Sequence, residues 1–405
     1  MSDVLKPRDE TEVAEAVAWA VGEDKRLEIV GRGSKRAIGR PAQADLTLDL
    51  SGLTGVTLYE PDELVLSARA GTPLAEIEDL LASHGQELAF EPMDYGPLLG
   101  QEPRAGSIGG TVAANLSGPR RPKAGAARDH FLGVTAVSGR GEPFKAGGRV
   151  VKNVTGYDLC KGLAGSWGTL AAMTDVTLKV LPRAEAEESV LVLGLDDAQA
   201  ARAMALALGS PAEVSGAAHL PAPSAARAPL NGAAAGAVTA LRLEGVAPSV
   251  AYRRDRLSEL LQPFGRVEVI AGEASRALWR FVRDVLAFAG DARPVWRISV
   301  TPMQGPELVR RIRSEIDAEA FYDWGGGLIW VAVPPLDDAA EPGVRRAVRA
   351  AGGGHATLIR AAPAIRAAVP VFEPQPAPLA ALTRRLKQSF DPKGVLNPGR
   401  MYPGV

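Results

Sequence analysis

Apolar residues in the first part of the chain follow helical and strand spacings in turn. Val13, Val17 and Ala20 recur at intervals of three and four residues, which predicts a helix from Thr11 to Val21. The other elements predicted up to residue 182 are strands at 27–31, 47–53, 55–60, 64–71, 131–138 and 174–182 and a helix at 73–84.

After Pro182 the pattern changes to a repeated order of strand, helix and strand. Strands are predicted at 188–195, 239–245, 266–272, 295–302, 327–335 and 355–361. Helices are predicted at 196–209, 248–261, 274–288, 305–316, 342–351 and 379–390. Successive β-α-β units are typical of a ferredoxin-like layer, in which helices cover one face of a single sheet. The Ala- and Pro-rich stretch 210–237 is interpreted as a loop.

These elements predict an α+β fold divided into three parts. Residues 1–183 form one α+β domain of two subdomains, about 1–60 and 61–183. Residues 184–370 form a second α+β domain, and 371–405 hold the last helix and the segment DPKGVLNPGRMYPGV. A chain of 405 residues is long enough for two or three domains.

Composition and charge exclude several classes of protein. Hydrophobic residues make up 46% and charged residues 23%, which is typical of globular proteins. The single cysteine, Cys160, excludes disulfide frameworks, iron–sulfur clusters and cysteine zinc sites. The net charge of −1 favours neither nucleic acid nor anionic lipid. The charged N-terminus and the absence of an apolar run of ~20 residues predict a cytoplasmic protein without a transmembrane segment, and peripheral docking on a membrane complex stays open.

Two glycine-rich loops carry the first chemical signal. Gly31 to Arg36 follows a predicted strand, and Gly106 to Thr111 precedes a run of small residues. Glycines let backbone N–H groups approach an anion, so two facing loops are typical of a diphosphate site. The cations that could balance its charge are Arg32, Lys35, Arg36, Arg120, Arg121 and Lys123. Each loop alone is equally typical of a tight turn, and neither matches the dinucleotide or P-loop fingerprint.

Longer phrases resemble a known family. The stretch GSIGGTVAANLSGPRR to GTLAAMTDVTLKVLP (106–182) and the ending DPKGVLNPGRM (391–401) are similar to FAD proteins of the vanillyl-alcohol-oxidase type. GPRRPKAG (118–125), KNVTGYDL (152–159) and GGHATLIRA (353–361) resemble the FAD-binding E subunits of bacterial glycolate oxidases. The resemblance implies a PCMH-type FAD-binding domain of two α+β subdomains, a ferredoxin-like cap and a C-terminal return segment.

The resemblance also implies which residues bind FAD. The two loops hold the pyrophosphate, other positions line the flavin or the nucleotide half, and Asn397 lies in the returning segment. The implied cofactor-binding residues are Gly31, Arg32, Gly33, Ser34, Lys35, Pro92, Asp94, Gly106, Ser107, Ile108, Gly109, Gly110, Asn115, Ser117, Arg120, Thr155, Gly156, Tyr157, Gly165, Gly168, Met173 and Asn397. For Asn397, an Asn-Pro turn that ends a helix is an equally good interpretation. The first loop contains neither His nor Cys, the residues that attach FAD covalently in some relatives, so noncovalent FAD is expected.

Candidates for catalysis are few. Oxidation of a 2-hydroxy acid needs a group that holds the carboxylate and a base, with the flavin as hydride acceptor. The four histidines His84, His130, His219 and His355 are dispersed without metal-ligand spacing, so no metal is expected. No residue is assigned as catalytic, and the candidates are Tyr157, Arg280, Arg283 and Arg297. A solvated or packing role is the competing interpretation for the arginines. Relatives carry a substrate-binding arginine where this chain has Val282.

The resemblance implies a role within a complex. This chain would be the FAD-binding subunit of an enzyme that oxidises glycolate to glyoxylate. A sister flavoprotein subunit would carry most of the chemistry, and an iron–sulfur subunit would take the electrons onward. Two alternatives stay open: an autonomous FAD-dependent hydroxy-acid or alcohol oxidoreductase, and a flavin-binding scaffold without catalysis. A reductase of cell-wall precursors is disfavoured, because the TGYDL and DPKGVLNPGR phrases do not match it.

Overall fold

The computed structural model describes residues 3–149, 157–230 and 236–405. The chain begins with a parallel sheet in the order β1-β3-β2, made of β1 (Asp3–Leu5), β2 (Leu27–Val30) and β3 (Leu46–Asp49). Helix α1 (Glu10–Gly22) buries the predicted face of Val13, Val17 and Ala20 against this sheet. The helix begins one residue before Thr11, because the Asp9 side chain caps it by accepting a hydrogen bond from the Glu12 N–H.

The next part of the chain builds an antiparallel sheet of five strands in the order β4-β5-β9-β7-β8, beside the short pair β6 and β10. Its strands are β4 (Val56–Glu60), β5 (Val65–Arg69), β6 (Gln86–Glu87), β7 (Phe131–Ser138), β8 (Pro143–Gly147), β9 (Ala171–Lys179) and β10 (Leu181–Pro182). Its helices are α2 (Leu74–Ser83), α3 (Ile108–Ala113), α4 (Arg121–Ala124), α5 (Ala127–His130) and α6 (Leu159–Leu163).

The second half of the chain forms one antiparallel sheet of eight strands. Its strands are β11 (Ala186–Leu193), β12 (Gly216–Leu220), β13 (Val238–Gly245), β14 (Val267–Ala271), β15 (Val295–Ser299), β16 (Glu319–Asp323), β17 (Leu328–Ala332) and β18 (His355–Arg360). Its helices are α7 (Asp197–Leu208), α8 (Ala222–Ala225), α9 (Ala247–Leu261), α10 (Glu273–Arg283), α11 (Gly305–Glu315) and α12 (Glu341–Ala350).

The strand order confirms the predicted ferredoxin-like arrangement, which occurs twice in the sheet. The sheet runs β14-β11-β13-β12-β16-β17-β15-β18, so each half is a β-α-β-β-α-β unit with its first strand inside the half-sheet. The two units join edge to edge through the pairing of β12 and β16 at His219 and Tyr322. The domain boundaries at 183 and 370 stay a prediction.

Two strands of the second half depart from the sequence-based prediction, and β1, β6 and β8 of the first half were not predicted either. The stretch 210–237 was expected to be a loop, and this is wrong, because β12 lies there in the centre of the sheet and α8 follows it. Strand β16 was not predicted at all. Both strands are five residues long and almost wholly buried, so neither shows the polar alternation by which a half-exposed strand is recognised.

Helix α10 is also shorter than the predicted 274–288. It ends at Arg283, and Val285 takes a left-handed conformation (φ 56°) before a single 3₁₀ turn over 286–288. The adjacent Asp284 accepts a hydrogen bond from the backbone N–H of Asp94, so this break docks the helix end on the first half of the molecule.

The two faces of the large sheet have different partners. Helices α7 and α9 pack on one face of the first unit, and α11 and α12 pack on the same side of the second. The opposite, inner face packs against α10 and against buried residues of the first half, including Ile38, Met93 and Leu116. The second half therefore covers the first half as a cap, and the space between them is available for ligands.

The last residues return to the N-terminal sheet. After α13 (Pro363–Ala368) and α14 (Ala377–Phe390), Leu396 forms a parallel bridge with Leu27 of β2. Lys387 of α14 donates hydrogen bonds to Asp391 (2.6 Å) and to the carbonyls of Thr169 (2.6 Å) and Leu396 (2.8 Å). Across the described ranges, no helix is long and apolar enough to cross a membrane.

Candidate functional site

The two glycine loops lie against each other at one end of the small parallel sheet. The first loop begins where β2 ends at Val30. The second loop leads into α3, whose N-terminus is capped by Ser107. A Cβ atom on Gly31 would lie 2.4 Å from the Ser107 Oγ, and one on Gly109 would lie 2.7 Å from the Ala70 Cβ. Glycine is therefore required at both positions, because only a missing side chain permits this approach of the backbones.

These loops form the wall of a first cavity, called here the cradle, of about 750 Å³ including its opening. The predicted residues that line it are Gly31, Arg32, Gly33, Ser34, Lys35, Ser107, Gly109, Gly110, Gly168, Met173 and Asn397. Trp167 and Arg400 line it too. The structure thus brings together residues from the N-terminal sheet, the second sheet and the return segment.

Lys35 is the cation that the cradle leaves available. Its side-chain Nζ donates one hydrogen bond, to the Ser34 Oγ at 3.2 Å, and no carboxylate of the described residues pairs with it. A Cβ on Gly106 or on Gly110 would lie 3.5 or 3.7 Å from this nitrogen. Burial lowers the pKa of Lys35 to about 8, although the charge of Asp94 opposes the shift. A half-buried ammonium with open donors can bind an anion.

The other basic residues of the cradle are already engaged. Arg36 and Arg400 both form ion pairs with Glu28, and Arg400 also donates to the backbone carbonyl of Lys35 at 2.8 Å. Arg32 donates to the carbonyl of Ala105 at 3.2 Å. These contacts hold the loops in place. Arg32 and Lys35 are the cradle cations without a carboxylate partner among the described residues, and of the two Arg32 is exposed whereas Lys35 is half-buried beside the glycines.

Asn397 fastens the return segment to the cradle. Its side-chain Oδ1 accepts a hydrogen bond from the Ile29 N–H (2.8 Å), and its Nδ2 donates to the Trp167 carbonyl (2.7 Å). Its own backbone adopts φ 43°, and a Cβ on Gly168 would lie 2.7 Å from the Nδ2 atom. The amide therefore joins β2 to the loop before β9, beside the space where a ligand would lie.

A second, larger cavity of about 1940 Å³ opens between the cap and the first half. The predicted residues on its wall are Ser34, Lys35, Pro92, Asp94, Gly106, Arg120, Arg280 and Arg283. The arginines of α10 have carboxylate partners here, since Arg280 pairs with Glu273 and Arg283 with Asp284. The Asp94 carboxylate accepts hydrogen bonds from the backbone N–H groups of Gly96 and Arg104.

A buried cluster of charges joins the cap to the first half along this cavity. Arg242 of β13 is 1% exposed and donates two hydrogen bonds to the Glu91 carboxylate, at 2.7 and 2.9 Å. Arg120 pairs with Glu244 of β13 and with Glu87. Burial alone would raise the pKa of Glu91, but the guanidinium groups of Arg242 and Arg120 hold it at about 2. The ion pairs of this cluster act as a clamp between the halves.

A third cavity, of about 1260 Å³, lies against the inner face of the second cap unit. Its wall contains the predicted residues Asn115, Ser117, Gly165 and Arg297. The Asn115 Oδ1 accepts from the Arg128 N–H, and the Ser117 Oγ accepts from the Ala127 N–H. Both side chains therefore brace the loop after α3, and the cavity begins where the cradle ends, because Trp167 lines both.

Four predicted residues lie outside these cavities or outside the described residues. Ile108 is fully buried in the core of the second sheet. Tyr157 is 91% exposed and lines none of the three cavities. Thr155 and Gly156 lie outside the described residues. Within the described ranges, no group of three or more His, Cys, Asp or Glu side chains comes together as a metal site would require.

Sequence reasoning missed several residues that build the site. Arg400 could have been found, because it follows Asn397 in the phrase at 391–401 that carried the resemblance. Arg242 and Glu91 are separated by 151 positions, and only folding brings them together. Trp324 is a third missed residue, since it is 7% exposed and also lines the third cavity.

Comparison with known proteins gives the class first. Residues 2–147 match the family described as the FAD binding domain. The fold is shared with p-cresol methylhydroxylase: the match covers 98% of this chain and 88% of that one with a TM-score of 0.72, at 13% identity. The protein therefore has a PCMH-type FAD-binding fold, which confirms the predicted fold class and cofactor.

The family follows from a relative of full length. The chain is 35% identical over 390 residues to the glycolate oxidase subunit GlcE of Escherichia coli (strain K12), and the match covers 96% of each chain. It belongs to that family, as the resemblance predicted. The glycolate oxidase subunit GlcD of Bacillus subtilis (strain 168) is 27% identical over 193 residues, which cover 47% of this chain and 39% of GlcD.

Proposed function

We propose that this chain is the FAD-binding subunit of a glycolate oxidase or dehydrogenase complex that converts glycolate, a 2-hydroxy acid, to glyoxylate. The observation that carries the proposal is the glycine cradle around the unpaired ammonium of Lys35. It occurs in a chain related along 96% of its length to a glycolate oxidase subunit.

The residues of the cradle fit the pyrophosphate of FAD. A diphosphate needs close backbone N–H groups and a positive charge, and the loop from Gly31 to Lys35 would supply both. The second loop would shape the opposite wall, because its N–H groups at Ile108, Gly109 and Gly110 already donate within the protein. Gly168 and Met173 would border the nucleotide half. Bound FAD supplies the acceptor for the hydride that leaves the hydroxyl-bearing carbon.

Binding without a covalent link is part of the proposal. Among the described residues that line the cradle, none is a histidine or a cysteine. Cys160 is 1% exposed, and burial raises the pKa of its thiol to about 11. It is therefore an inert core residue rather than an attachment point.

In the proposed complex, different subunits carry out different steps of the reaction. An iron–sulfur cluster requires several cysteine thiolates and this sequence has one, so the cluster that takes electrons onward would belong to a partner subunit. A sister flavoprotein subunit would carry most of the oxidation. The complex would work in the cytoplasm or at a membrane surface, held there through its other subunits.

The first experiment is an absorption spectrum of the purified chain, followed by acid precipitation. We expect flavin bands and release of FAD into the supernatant. A matched pair of variants sharpens the result: Gly110→Asp puts a carboxylate toward Lys35 and should abolish FAD binding, whereas Gly22→Asp lies in open space and should retain it. A folded, colourless chain that takes up no added FAD contradicts the proposal.

The second experiment tests the division of labour in the assembled complex. Glycolate-dependent reduction of an artificial electron acceptor is compared for the complex, the isolated FAD-loaded chain and a complex that contains Gly110→Asp. We expect activity in the first, little in the second and a loss in the third without a loss of assembly. Full activity of the isolated chain would favour an autonomous enzyme, and full activity of the variant complex would favour a scaffold.

A further inference from the structure

The third cavity contains two guanidinium groups on one indole ring. Arg297 projects from β15, and Arg121 lies at the start of α4 on the other half of the molecule. The guanidinium carbon of Arg121 lies 4.4 Å from the centroid of the Trp324 ring, and that of Arg297 lies 5.0 Å from it. Trp324 itself is fixed, because its Nε1 donates to the Gly118 carbonyl at 2.9 Å.

Neither guanidinium has a carboxylate partner among the described residues. This distinguishes them from Arg280 and Arg283 in the second cavity, which both form ion pairs. The carboxylate on the wall of the third cavity is Glu373, and it is already held by Arg345 and by the backbone N–H of Ala356. The charges of Asp323 and Asp129 act on Arg297 and Arg121 respectively, but neither carboxylate forms an ion pair with them. The third cavity therefore carries two guanidinium groups that are not ion-paired with the described protein.

The N–H groups of Arg297 and Arg121 indicate the chemical class of ligand that would fit. A guanidinium presents planar paired N–H groups, which match the two oxygens of a carboxylate better than they match a neutral ligand. Tyr95, Ser299 and Thr357 line the same cavity and add hydroxyl groups. Such a wall can bind a small molecule that carries a hydroxyl beside its carboxylate.

We infer that Arg297 and Arg121 form a binding site for the carboxylate of a small 2-hydroxy acid in the third cavity. Asn115 and Ser117, which the family resemblance assigns to the cofactor, line the same space. The inference rests on the proposed function for the identity of the acid. The binding of a carboxylate can be tested separately.

The test is calorimetric titration of the FAD-loaded chain with oxalate, a small carboxylate that is not a hydroxy acid substrate. Arg297→Gln and Arg121→Gln should each weaken oxalate binding about 10- to 100-fold, the effect of removing one charge-assisted pair. Arg297→Lys should retain part of the affinity, because it keeps the charge. The control is Arg256→Gln, whose side chain is 64% exposed on α9 at the opposite face of the cap. Unchanged affinity in both glutamine variants, or equal loss in the control, overturns the inference.

Two further readouts separate this inference from others. If Arg297→Gln shifts the reduction potential of the flavin but leaves oxalate affinity unchanged, the arginine serves the flavin and the inference is wrong. If the chain binds no FAD, the proposed function fails, and titration of the FAD-free chain still tests the site. Oxalate binding that is lost in Arg297→Gln and Arg121→Gln supports the site in that case as well.

Discussion

Two lysines, one buried and one half-buried, differ in how the protein satisfies the same charge. Lys387, in the last helix, uses its ammonium in three hydrogen bonds, to Asp391 and to two backbone carbonyls. Lys35, in the cradle, has one hydrogen bond, to Ser34. An ammonium has three donors, so the first lysine is satisfied by the protein and the second is not. The satisfied cation holds the fold, and the unsatisfied one identifies the place for a ligand.

The largest effect on stability is expected when Lys387, the lysine with three hydrogen bonds, is replaced. Lys387→Met should lower the free energy of unfolding by about 3–5 kcal/mol, because it leaves the buried Asp391 carboxylate without its counter-charge. Chemical denaturation of the FAD-free chain measures the loss. The double variant with Asp391→Asn should recover part of it, and a single variant as stable as the parent would show that this pair does not hold the return segment.

Glu91, in the clamp between the halves, makes the stability of the fold depend on pH in the acid range. The pKa of Glu91 is about 2 when folded against an ordinary value of 4.5, so its pairing stabilises the fold above pH 4.5 and the stabilisation is lost as the pH falls toward 2. The shift corresponds to roughly 3 kcal/mol. Glu91→Gln should lose this stability near pH 7 and flatten the dependence below pH 4.5, as measured by thermal unfolding across pH. A parallel pH profile of the variant and the parent would contradict the role of Glu91.

The unsatisfied lysine should behave in the opposite way to Lys387. Lys35→Met should leave the stability of the FAD-free chain unchanged or higher, since it removes a half-buried charge without a partner. FAD affinity should fall about 10- to 100-fold, because a charge-assisted hydrogen bond to the anion is lost. Fluorescence titration with FAD measures this, with the exposed Lys25→Met as control. A variant that is destabilised but binds FAD normally would reverse our view of the two lysines.

The smallest effect is a dependence of FAD binding on pH. An anion favours the protonated ammonium, so affinity should be constant below the pKa of Lys35, about 8, and decline above it by at most about tenfold per pH unit. FAD titrations between pH 6 and pH 10 would measure the decline, and Lys35→Met should abolish it. A decline that persists in the variant must come from another group.

The sequence was sufficient to predict those features that depend on local patterns of residues. The glycine loops, the ferredoxin-like order of the cap and the family resemblance all follow from short phrases or from periodicity. Strands β12 and β16 escaped because they are buried on both faces, and a strand without a solvent-facing side has no alternation.

The sequence could not rank the candidate charges. Arg280, Arg283 and Arg297 were equivalent candidates, and the structure separates them, since the first two pair with Glu273 and Asp284 while Arg297 faces Trp324. The neighbour Asp284 was a usable signal for Arg283. The sequence does not indicate that Lys35 lacks a carboxylate partner, because this depends on where the fold places the carboxylates.

The return segment also sets an order of events in the cell. Asn397 and Arg400 form part of the cradle wall and bind Ile29 and Lys35, residues synthesised more than 350 positions earlier. A ribosome exposes the N-terminal sheet long before it exposes these partners. The cradle wall is therefore completed only when residues up to Arg400 have emerged, so the site that we propose for FAD forms late in synthesis.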